Sequence, residues 1–210
     1  MSQIFDFFLN AYSETPTSFI VLEAIAFVFG ILSVFYAKKV HIWVYPTGLL
    51  ATVISVYLLY KAAYFGDMMM NFYYSIMSLY GWWNWSRKNN NSPVVPVSRT
   101  NLKEKLVGFF MFSITMFVTY MVYALTGVAI QGENWIDIFT SGVFFTAMWY
   151  MANKKIENWT LWIFADIITV PLYAYRGLGM LSLQYLIFTV IAILGYLAWK
   201  KSLDKNKEIV

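Results

Sequence analysis

Seven apolar runs of about 20 residues each, separated by short polar segments, leave this chain few ways to fold. A run of that length crosses the hydrocarbon core of a bilayer as a helix. Only a helix or a closed barrel satisfies its own backbone there. The runs fall at about 18–37, 42–60, 68–85, 106–125, 135–151, 159–175 and 180–199. The chain of 210 residues is 60% hydrophobic and only 12% charged, so the runs leave no room for a soluble catalytic domain. An all-α polytopic membrane protein follows. The first 17 residues are mixed, and "QIFDFFLNAY" reads as a short amphipathic turn in the interface. Lys38 is the first basic residue, so a cleaved signal peptide is not expected. With no cysteine there is no disulfide or thiol chemistry.

Charge orients the spans. The first, third and fifth connections and the C-terminal tail hold 13 of the 15 basic residues; the other side has only Lys61 and Arg176. The positive-inside rule then puts the N-terminus outside and the C-terminus in the cytoplasm. The net charge of +4 comes from these short connections, so it is no sign of nucleic-acid binding.

The two ends of the chain resemble each other. "KKVHIWVY" (38–45) matches "KKIENWTL" (154–161), and "GWWNWSR" (81–87) matches "GYLAWKK" (195–201). At the second of these offsets Glu23 falls on Asp137. We read a three-helix unit at 18–86, a linker span at 104–126 and a second three-helix unit at 135–201. The odd linker span makes the units parallel. This 3+1+3 plan resembles the layout of the SWEET sugar carriers, in which cargo sits between the repeats near the midplane.

Ionisable groups at membrane depth are costly and face the bundle interior. Asp166, Glu23 and Asp137 are the candidates, with Asp166 the deepest in its span. For Glu23 and Asp137 a structural acid bonded between helices reads equally well. Asn71 and Gln184 each stand near the start of the third span of their unit, and Ser75 and Ser78 share a helical face with Asn71. These polar groups suit a heterocycle edge or bind helix to helix. Trp159 and Trp162 flank one turn, and Asp166 follows Trp162 by four, so all three are expected to face one cavity. Flat π faces beside an acid suit a flat cationic ring. Pro46 and Pro171 are expected to kink the second and sixth spans. No phosphate-binding Walker loop is present, and His41, the single histidine, rules out a multi-histidine metal site. No catalytic residue, metal or cofactor is expected. In "GWWNWSRK" (81–88) the glycine reads as close packing and Trp85 as an interfacial anchor. Trp82, Trp83 and Asn84 are left as candidates for the rim of a gate.

"YGWWNWSRK", "KKIENWTLW" and "LSLQYLIFTVIAILGYLAWKK" together resemble the Pnu family of bacterial vitamin transporters over most of the chain. The resemblance implies seven core spans, facilitated diffusion of an unphosphorylated vitamin, and residence in the bacterial inner membrane among lipid. A cytoplasmic kinase then traps the cargo by phosphorylation. Such carriers can form trimers. The family takes nicotinamide riboside, thiamine or riboflavin. Asp166 stands where the riboside type tends to carry Asn, and Asn71 and Ser78 stand where it tends to carry Gln and Asn. These departures favour thiamine, with nicotinamide riboside as the alternative. A riboflavin carrier and a membrane enzyme acting on lipid rank below both.

Overall fold

The computed structural model describes residues 15–62, 65–89, 92–125, 130–176 and 179–208. Among these residues seven helices follow one another: α1 (Thr17–Lys38), α2 (Val44–Lys61), α3 (Phe65–Ser86), α4 (Leu102–Leu125), α5 (Gly132–Ala152), α6 (Glu157–Tyr175) and α7 (Gly179–Glu208). Two two-residue strands, β1 (Lys88–Asn89) and β2 (Ser92–Pro93), pair antiparallel after α3. The amphipathic turn expected near the N-terminus lies outside the described residues.

By length and composition α1, α2, α4 and α7 are apolar enough to cross a membrane. Helices α3, α5 and α6 are more polar because of what they bury: Ser75, Ser78 and Asn84; Thr140 and Thr146; Asn158, Asp166 and Thr169. Polar groups turned inward leave the outer faces apolar. On α4, Phe109, Phe110 and Phe117 are all more than 60% exposed, a surface suited to lipid rather than water. The chain is an integral membrane protein. At a rise of 1.5 Å per residue the 30-residue α7 is about 45 Å long, longer than a hydrocarbon core, so its polar last turns project beyond it.

Helix packing closes a ring. Helix α1 packs on α2, α2 on α3, α3 on α5, α5 on α6, α6 on α7, and α7 back on α1; α4 lies outside, against α5. Helices α2 and α6 therefore face each other across the ring, each between the other two helices of its own half.

The halves repeat in detail at a spacing of 114 residues. Val40 (φ 55°) and Lys154 (φ 51°) both take the left-handed conformation after the first helix of their half. Each turn is closed by the same bonds: His41 N–H donates to Tyr36 O at 3.0 Å, and Lys155 N–H donates to Tyr150 O at 2.9 Å. This is the Schellman pattern, and a β-branched valine in it is uncommon. The lysine pairs that look alike in sequence therefore do not superpose. Lys38 and Lys39 end α1, whereas Lys154 and Lys155 form the turn after α5.

Gly81 and Gly195 play one part twice. A Cβ on Gly81 would strike the Tyr45 ring, and one on Gly195 would come within 2.7 Å of the Trp159 ring. Tyr45 and Trp159 then meet Trp85 and Trp199 edge to face, at centroid distances of 5.1 and 5.5 Å. Finally the halves cap one another. Trp85 Nε1–H donates to Ala152 O at 3.1 Å, and Trp199 Nε1–H donates to Ala37 O at 3.0 Å. Trp85 is thus buried between the halves and is not the interfacial anchor expected of it; the exposed tryptophans of that stretch are Trp82 and Trp83.

Asn84 is also buried. Its Nδ2 donates to Ala152 O at 3.0 Å, and its Oδ1 accepts from Arg87 at 2.6 Å, so it joins the halves. The 97–100 segment straps the same end. Ser98 exchanges backbone bonds with Lys154 and Ile156, and Thr100 N–H donates to Glu157. Pro46 sits in the first turn of α2, where the missing N–H has no intrahelical partner to lose, so no kink is needed there. Pro171 stands inside α6.

A candidate cargo site inside the ring

Asp166 is the centre of the candidate site. It is 1% exposed, and both carboxylate oxygens are buried without a hydrogen-bond partner. The neighbouring inward positions of α6 are Trp162, one turn earlier, and Thr169, which donates to Ala165 O at 2.8 Å. An ionised carboxylate left this way costs several kcal/mol, so Asp166 is either neutral or met by a donor or cation from outside the chain.

Aromatic rings from four helices pack around that region. Trp162 of α6 lies 6.1 Å from Tyr74 of α3 and 5.3 Å from Phe144 of α5. Phe144 in turn lies 5.9 Å from Tyr185 of α7, whose ring meets Tyr173 at 5.3 Å and Phe188 at 6.1 Å. Trp162 and Asp166 are therefore brought together. Trp159 is not part of this cage. It points to the basic end of the ring, is 1% exposed, and packs against Trp199 and Gly195.

The remaining candidates spread along the ring. Ser75 Oγ lies 2.8 Å from Thr52 Oγ1 of α2 and 3.0 Å from Asn71 O, with its one proton shared between them. Ser78 is 3% exposed and turns toward Gly48 of α2. Asn71 donates to Asp67 O of its own helix at 3.0 Å. Gln184 places its amide nitrogen beside Gly30, at the seam of α1 and α7. Glu23 is half-buried on α1.

Asp137 lies at the end of the ring opposite the lysine-rich turns. It accepts from Arg176 at 2.7 and 3.2 Å and from the Tyr123 hydroxyl at 3.1 Å, while Arg176 also reaches Glu133 at 3.2 Å. Burial works to lower the Arg176 pKa, but bonds and charge from Asp137 and Glu133 raise it overall, so the guanidinium stays charged. This network ties α5 to the end of α6. At the other end, Lys154 is 5% exposed with its ammonium 4.6 Å from the Trp85 ring, and burial lowers its pKa.

Tyr74, Phe144, Tyr185 and Thr52 were not singled out from the sequence. For Thr52 and Tyr74 a signal existed: at the spacing of the repeat Thr52 falls on Asp166, and Tyr74 on Phe188. Phe144 and Tyr185 look like any other aromatic residue of a membrane helix.

A lipid-facing ring of two like halves, with a buried acid among aromatic rings, fits a membrane transporter of small molecules. Residues 20–201 match the family described as Nicotinamide mononucleotide transporter, and the chain belongs to that family. It is 24% identical to the nicotinamide riboside transporter PnuC of Escherichia coli (strain K12), across 86% of this chain and 85% of that protein. It is likewise 24% identical to the nicotinamide riboside transporter PnuC of Neisseria mucosa, across 88% of this chain and 74% of that protein. The fold is that of the crystal structure of the vitamin B3 transporter PnuC, with a TM-score of 0.69, 24% identity, and coverage of 88% of this chain and 82% of that one.

Proposed function

We propose that the protein carries an unphosphorylated B vitamin across the membrane by facilitated diffusion, and that its cargo is nicotinamide riboside. The observation that carries this reading is the partnerless Asp166 beside the Trp162–Tyr74–Phe144 cage. The pyridinium of nicotinamide riboside is flat and cationic, so it stacks on the rings and supplies the charge that Asp166 lacks. The carboxamide is a further donor. The relatives named for this riboside favour the same cargo. The units 18–86 and 135–201 move against each other about the site, with 104–126 as the linker between them.

The carrier sits in the bacterial inner membrane with its lysine-rich end in the cytoplasm, surrounded by lipid. A cytoplasmic kinase phosphorylates the incoming vitamin and keeps the gradient inward. A homotrimer is the assembly proposed. The remaining candidate residues, Asn71, Gln184, Ser75, Ser78, Glu23, Asp137 and Trp159, line or brace the path.

A second reading, thiamine, is favoured by the acid itself. A carboxylate in place of the amide expected of the riboside type accepts from an aminopyrimidine and pairs with a thiazolium. Calorimetry on the purified protein decides between the two. Nicotinamide riboside is expected to bind more tightly than thiamine, and nicotinamide mononucleotide more weakly than either. Tighter thiamine binding would replace the riboside by thiamine, and binding of neither would overturn the vitamin reading.

A further inference from the structure

Asp166 has a counterpart that the cargo also needs. At the spacing fixed by the Val40/Lys154, Tyr45/Trp159 and Gly81/Gly195 pairs, the residue equivalent to Asp166 is Thr52. The two helices present matching faces. Leu50 and Val53 of α2 are 41% and 51% exposed; Phe164 and Ile167 of α6, their equivalents, are 49% and 55% exposed. Ala51 and Ala165 are both buried. Thr52 therefore stands at the same level as Asp166, on the helix that faces α6 across the ring.

The partners of the two residues differ. Thr52 Oγ1 accepts from Ser75 and itself lies 3.2 Å from Leu49 O, to which it donates. The equivalent of Ser75 is Thr189, which donates to Tyr185 O of its own helix at 2.8 Å and leaves Asp166 alone. One half of the ring thus offers an acceptor that needs a cation or donor. The other offers two adjacent hydroxyls, each able to donate and accept. The side chains one turn earlier differ as well. Where the cage has Trp162, the equivalent position on α2 is Gly48.

We propose that Thr52, with Ser75, forms the second half of the cargo site and takes the hydroxyl-bearing part of the cargo while Asp166 and the cage take the ring. This rests on the vitamin reading above. A sugar hydroxyl replaces or joins the Ser75–Thr52 bond without leaving either group unpaired. Gly48, one turn earlier, is packed by the Ser33 and Ser78 hydroxyls, so that wall stays polar. The arrangement makes the site polar at one wall and aromatic at the other, so a cargo must carry both kinds of group to fill it.

The test is calorimetry on the full chain with nicotinamide riboside, and with nicotinamide, which has the ring but no sugar. Thr52→Val keeps the shape and removes the hydroxyl; it is expected to weaken riboside binding about tenfold. Thr52→Ser restores the hydroxyl and is expected to bind as the wild type does. Nicotinamide is expected to behave alike with wild type and both variants. Should Thr52→Val not fold, Ser75→Ala removes the other hydroxyl, with a similar loss expected. Unchanged riboside affinity in Thr52→Val, or in Ser75→Ala in its place, overturns the inference. So does a loss that extends to nicotinamide or persists in Thr52→Ser. A wild type that binds neither vitamin overturns the reading beneath it, and the inference falls with that reading.

Discussion

At the scale of single residues, the proposed function rests on a buried group left unpaired. Both carboxylate oxygens of Asp166 are buried without a partner, and under the proposed function the cargo supplies one. Removing it by Asp166→Ala forfeits a hydrogen bond to a charged group, worth about 1.5–3 kcal/mol, so vitamin affinity should fall about ten- to a hundredfold. Calorimetry checks this, and unchanged affinity would remove Asp166 from the site. Lys154 makes the opposite case, a charge the fold would rather not bury. Its pKa is lowered by burial, so between the folded value and the 10.5 of free lysine the unfolded chain binds more protons. Stability must then rise with pH through that window. Melting in detergent from neutral to alkaline pH should show this gain for the wild type, and a smaller one for Lys154→Met. Asp166 was visible in the sequence because a carboxylate inside an apolar run is conspicuous. Its surroundings were not. Trp159 and Trp162 lie three apart and looked like one wall, yet the helix turns them to different layers. Gly195 of α7 takes the first, and the cage takes the second.

At the scale of elements, helices meet where side chains let them. Gly195 admits the Trp159 ring, and Gly81 admits the Tyr45 ring, so each third helix lies close on its second. A methyl group at Gly195 must displace a buried indole, an overpacking that costs about 1–3 kcal/mol. Gly195→Ala should therefore lower the melting temperature in detergent, and a companion Trp159→Phe change should recover part of it. The sequence marked both glycines through the "GWWNWSR" and "GYLAWKK" match, and marked the helices through their apolar runs. It misled at the lysine pairs, because matching letters there fall two residues away from matching geometry. The left-handed residue that sets the turn is Val40 in one half and Lys154 in the other, and neither side chain announces it.

At the scale of the whole molecule, two halves close a ring and hold each other at one end. Trp85 caps α5 and Trp199 caps α1, so each half ends the first helix of the other. Trp85→Phe and Trp199→Phe each keep a ring and lose one N–H bond, at about 0.5–1.5 kcal/mol apiece. Both should lower the melting temperature by similar amounts, and an effect confined to one would break the equivalence of the halves. The apolar runs and the charge alternation were enough to anticipate seven helices. The closed order of the ring was not legible, since it depends on which faces meet across distant segments.

Passive carriage of a vitamin is the claim on which the rest depends. Uptake of radiolabelled nicotinamide riboside into liposomes containing only this protein tests it most directly. The account predicts protein-dependent entry that stops when inside and outside concentrations are equal. Entry no faster than in protein-free liposomes, or accumulation above the outside concentration with nothing inside to trap the cargo, would contradict it.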